Sequence, residues 1–184
     1  MGFDILALGV ILLANPQNTI TDCIAAVIIA AAANRIKTLI RDFEKVLMPS
    51  YILAAVGFLS IIFSYIAPSE IMLKIITFFR YGIVTLIEVY TISGIAEMAV
   101  IRENVPLYSK ALNFKRPIYF SGIVKALITV LSLAFPIMNG ASFISGLLST
   151  FVTIMIAVTI YRLHKDISCP KDGQDNINDQ EKKS

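Results

Sequence analysis

Only two of the 184 residues are cysteine, only one is histidine, and charged side chains make up 16% of the chain. Cys23 lies in an apolar stretch and Cys169 beside Pro170 in a polar one, so the two are too few and too differently placed for a disulfide framework. His164 is the sole imidazole. No helical histidine pair is therefore available for zinc, and no serine or cysteine has a histidine partner. The glycines form neither a phosphate-binding loop nor a dinucleotide fingerprint. These absences argue against an enzyme and leave no catalytic set, no metal-ligating set and no cofactor to expect.

The scarcity of charge has a second consequence. Apolar residues make up 57% of the chain and the mean hydropathy is +0.75, a balance that excludes a disordered chain and is too oily for a soluble domain of this size. A membrane protein remains. The net charge is only +3, and the basic residues sit in clusters between apolar runs. That placement reads as an orientation signal, with no footprint for nucleic acid.

A bilayer core is about 30 Å thick, so a spanning helix needs roughly 20 apolar residues. Four stretches qualify: Val46 to Ala67, Tyr81 to Ile101, Ile118 to Met138 and Ala141 to Tyr161. The first tolerates Pro49 in its opening turn. Between the first two, Ser69 and Glu70 resemble a helix start, and Ile71 to Phe79 reads as an interfacial lead-in. Lys and Arg number four in residues 34–45, two between the first two spans, four in residues 102–117, none at Asn139–Gly140 and five from Arg162 onward. The excess marks the cytoplasmic side, which puts the C-terminus there and the chain in the plasma membrane. Tyr65 and Tyr81 near one boundary and Tyr51, Tyr119 and Tyr161 near the other fit an aromatic belt. Residues 1–163 read as one integral membrane domain and 164–184 as a disordered cytoplasmic tail.

The N-terminal segment differs. Phe3 to Leu13 and Cys23 to Ala33 are each too short to span alone, and they are separated by Asn15-Pro16-Gln17-Asn18-Thr19-Ile20-Thr21-Asp22. Asp4 and the absence of early Lys or Arg argue against a signal peptide. One discontinuous span, a re-entrant hairpin with both ends at the cytoplasmic face, or a short helix followed by a span to about Ile40 all remain open. In each, backbone freed at Pro16 must be satisfied by protein or a wet cavity. Phe3-Asp4-Ile5, Asn15-Pro16 and Ile20-Thr21-Asp22 together resemble the opening of a group of small, uncharacterised multi-pass membrane proteins of Gram-positive bacteria. The likeness covers about the first fifth of the chain and implies a membrane location, with no activity attached. The fold class expected is an all-α transmembrane bundle: four spans plus this broken or re-entrant segment.

Ionisable groups inside the membrane are the strongest chemical signal, since each costs roughly 2.5–3.5 kcal/mol to insert. Measured from the basic ends, Glu97 lies about 7.5 Å deep, Lys125 about 13 Å and Glu88 about 21 Å. Lys125 can snorkel toward Glu97, which the sequence makes its expected partner. Glu88 and Glu97 fall on opposite sides of their helix. Glu88 is then either a neutral acid hydrogen-bonded to a threonine or a loop carbonyl, or part of a path for a small solute or cation, together with Asn15, Asn18, Thr19 and Asp22 at the broken segment. Ser142, Gly146, Ser149 and Thr153 recur at spacings of 4, 3 and 4, a stripe that lets helices approach closely within the bundle or between copies. His164 reads as a helix C-terminal partner. Two functions follow. One is a small transporter, a channel-like protein or the membrane subunit of a transport complex; chain length and helix number resemble those of small substrate-capture subunits that dock on an energy-coupling complex. The other is a structural or regulatory protein that packs against membrane partners or a second copy.

Overall fold

The computed structural model describes residues 2–14, 19–66, 69–135 and 139–168, and all regular structure among them is helical. Six helices follow in order: α1 Phe3–Leu13, α2 Thr19–Ile36, α3 Glu44–Ile66, α4 Glu70–Ile101, α5 Val105–Ala134 and α6 Asn139–Ser168, with a short 3-10 turn Arg41–Phe43 leading into α3. Four helices are long and apolar enough to cross a membrane: α2, α3 with its lead-in, α4 and α6. The number agrees with the sequence reading, but the set differs. The expected stretch Ile118 to Met138 belongs to α5, which is not among the four; it ends at Ala134 because Phe135 turns extended. Its flank still exposes Phe120, Ile123, Leu127 and Val130, an apolar face suited to lipid.

Each helix packs on the next, and α1 also packs on α6, so the six close into a ring in chain order. Small residues permit the tightest crossings. A Cβ at Gly94 would lie 2.5 Å from the ring of Phe43, so only glycine lets that ring seat against α4. Phe43 is fully buried and meets Phe3 edge-on at 5.7 Å, which closes one end of the ring with two aromatics. That end also carries the basic linkers, Arg35 to Lys45 and Arg102 to Arg116. The reversal from α4 to α5 is tight: Glu103 takes a left-handed φ of 53°, and the Asn104 side chain accepts from the Leu107 N–H at 3.0 Å to cap α5.

Of the three N-terminal arrangements, the structure has the short helix followed by a helix long enough to span, ending at Ile36 and not near Ile40. Gly2 lies against Ile36 and Gly9 against Ile29, so α1 and α2 are antiparallel and their outer ends share the Phe43 end. At 1.5 Å per residue, α1 is only about 16 Å long and stops near mid-depth. The connecting residues, Asn15 to Asn18, lie outside the described residues. α4 is continuous from Glu70, so the expected interfacial lead-in is the first third of a single helix. α6 likewise runs to Ser168, past the expected domain limit at 163, and the remainder of the tail lies outside the described residues.

Candidate functional site

The ring encloses polar side chains that reach across it. Asp22 stands in the first turn of α2 and is 1% exposed. Arg80 reaches it from α4: Nη2 donates to Oδ1 at 2.9 Å, and Nε pairs with Oδ2. The Arg80 side chain is 13% exposed, so both charges are largely withdrawn from solvent. Such a pair offsets its desolvation only when hydrogen bonding supports it, and here the Nη2–Oδ1 hydrogen bond does so. The pair forms one wall of a cavity of about 230 Å³ between α2, α3 and α4. Thr19, Ser60 and Thr77 contribute hydroxyls to it, and Leu53, Val56 and Ile76 contribute apolar surface.

Two turns along α4, Glu88 is 3% exposed. Its Oε1 lies 2.5 Å from the Thr153 hydroxyl of α6, which is also 2.9 Å from the Ser149 carbonyl. One hydroxyl has one proton. The Thr153 hydroxyl donates to the Glu88 carboxyl and is shared with the Ser149 carbonyl of its own helix. Lys125 of α5 is 8% exposed, with Nζ 4.8 Å from the centre of the Tyr81 ring, a cation–π contact. Its charge is felt by Glu88, Asp22 and Arg80. Among the described residues, no carboxylate stands within ion-pair distance of Lys125.

Glu97 is not the partner of Lys125. Its carboxylate accepts from the Asp42 backbone N–H at 3.0 Å and so caps the 3-10 turn and the start of α3, where an anion meets the helix dipole. The nine-residue spacing that puts Glu97 opposite Glu88 turns it toward the linker and away from the interior. The α6 stripe faces inward: Gly146, Ser149 and Thr153 are buried, and one turn away the Thr150 hydroxyl is shared between the Ala14 carbonyl at 2.9 Å and the Gly146 carbonyl of its own helix at 3.0 Å. That carbonyl, freed where α1 stops, is thus satisfied by protein, as membrane depth requires. The side chain of Ser142 and the residues Asn15 and Asn18 lie outside the described residues.

The structure therefore brings Asp22, Glu88, Lys125, Ser149 and Thr153 toward one interior and leaves Glu97 outside it. The sequence reading missed Arg80 and Thr150. Arg80 looked like a span boundary, and at 22 residues from Arg102, about 33 Å, it does stand near the far end of the core; only its pairing with Asp22 marks it as part of the interior. Nothing in the sequence marked Thr150. Among the described residues, no three His, Cys, Asp or Glu side chains converge as metal ligands would. What defines the class is a multi-pass membrane helix bundle with paired charges in its interior. No protein-family model, curated protein or solved structure matches this chain.

Proposed function

We propose that this chain is a non-catalytic plasma-membrane protein that binds a small solute between α2, α3 and α4 and passes it across the bilayer, alone or as the membrane subunit of a transport complex. The observation that carries the reading is the Asp22–Arg80 pair in the wall of a 230 Å³ cavity. Charge in a membrane interior is costly to keep unless it is used. A cavity with a few converging polar groups and apolar walls is the usual form of a solute site. The half-length α1, ending at mid-depth, is a discontinuity of the kind from which membrane transporters build their sites. The basic linkers and the C-terminus lie on the cytoplasmic side.

The α6 stripe serves the bundle itself, packing against α1 and reaching α4 through Thr153. The test is to extract the full chain into lipid nanodiscs and identify small molecules released from it by mass spectrometry, beside a Ser60→Leu variant that fills the cavity. A compound recovered near one per chain from the parent and absent from the variant supports the reading. Identical profiles from the two overturn it.

A further inference from the structure

The cavity's charge balance narrows the class of solute, on the reading that it is a solute site. Asp22 and Arg80 come from helices separated in the ring by α3, and both face the same space. A purely cationic solute on Asp22 would add a positive charge beside Arg80 and Lys125, with no second carboxylate among the described residues that line the cavity. A purely anionic solute on Arg80 would set a second negative charge beside Asp22, a carboxylate that is 1% exposed. Leaving one member of a buried pair uncompensated weakens binding by about 100-fold or more. A solute with both charges has neither penalty, because its ammonium can take the place of the guanidinium on Asp22 while its carboxylate takes the place of Asp22 on Arg80. The interior keeps its net charge throughout.

Size and lining agree. At about 230 Å³ the cavity falls below the roughly 300 Å³ at which drug-sized sites begin. Leu53, Val56 and Ile76 offer a surface for a short aliphatic segment, and Ser60 and Thr77 stand beside it. Lys125, nine-tenths buried against the Tyr81 ring, adds a positive charge to the same interior. We propose that the α2–α3–α4 cavity binds a small zwitterion of amino-acid size, with its ammonium on Asp22 and its carboxylate on Arg80.

The test uses matched probes on the full chain in nanodiscs: β-alanine and γ-aminobutyrate as zwitterions, n-propylammonium as cation and propionate as anion, with thermal unfolding as readout. The expected result is a saturable rise in Tm of about 5–10 °C for a zwitterion at a hundredfold its Kd, with none for the monopoles. The rise should vanish in Ser60→Leu and in the double variant Asp22→Asn, Arg80→Gln, which removes both charges together and so avoids an orphaned ion. A monopole that binds as well as the zwitterions overturns the zwitterion assignment and leaves the solute site in place. No shift with any of the four probes also overturns it, and the compound recovered from nanodiscs then decides separately whether the cavity is a solute site at all.

Discussion

Asp22 and Arg80 show how a residue's cost depends on its partner. Replacing Asp22 alone with Asn strands a guanidinium inside the bundle, and the expected loss is about 3–5 kcal/mol. Replacing Arg80 with Gln in the same chain should recover most of that loss, and unfolding of the two single variants and the double in one detergent measures the coupling directly. Thr150 offers a second comparison. Its hydroxyl is the donor for the Ala14 carbonyl, whereas Thr159 donates only to Met155 in its own helix. Thr150→Val should therefore cost about 1 kcal/mol, the loss of one half-buried hydrogen bond between helices, and Thr159→Val close to nothing on the same melt. Of these residues, Asp22, Glu88, Lys125, Ser149 and Thr153 were legible from sequence, because charge or small size in an apolar run is rare enough to stand out. Arg80 was not, because hydropathy alone reads a basic residue as the end of a span; only its ion pair on another helix reveals it as interior. Glu97 was misread for the converse reason: its partner is a backbone N–H, and backbone groups leave no trace in a sequence.

At the scale of elements, α3 was readable almost to its ends and α6 to its start, since uninterrupted apolar runs fix a helix in lipid without help from neighbours, whereas α6 continues seven residues past the expected end at Tyr161. α5 was not. Pro117 looked like its start, but the helix begins at Val105 and carries Pro117 within it, so the proline's effect depends on surroundings that local pattern does not contain. The short α1 followed by a spanning α2 was one of three readings, and their antiparallel packing rests on contacts such as Gly9 with Ile29 that no local pattern contains. The seating of Phe43 against Gly94 gives an element-level prediction. Gly94→Leu has to push that ring aside, and overpacking of this kind costs about 1–3 kcal/mol. Comparison of its Tm with that of Gly82→Leu, where a Cβ meets nothing within 4 Å, separates the seam from general helix effects.

For the whole molecule, the basic linkers and the direction of α1 make a joint statement about sidedness. Reporters fused before Gly2 and after Ser184 should both signal from the cytoplasm; an external signal from the first would mean that α1 and α2 do not form the antiparallel pair described, and from the second that the whole bundle is inverted. The ring as a whole was beyond the reach of sequence, because six apolar helices can be ordered around an interior in many ways and hydropathy does not rank them.

The contact between α1 and α6 bears on biogenesis. A half-length helix with a free carbonyl at its tip is a poor lodger in lipid on its own, and the hydroxyl that satisfies that tip is on the last helix of the six. Translation thus delivers the first piece of the structure long before its binding partner exists. Until the final segment leaves the translocon, the opening segment must wait at the interface or in the care of the insertion machinery, and a nascent chain stalled before Thr150 would present a gap that proteases can recognise.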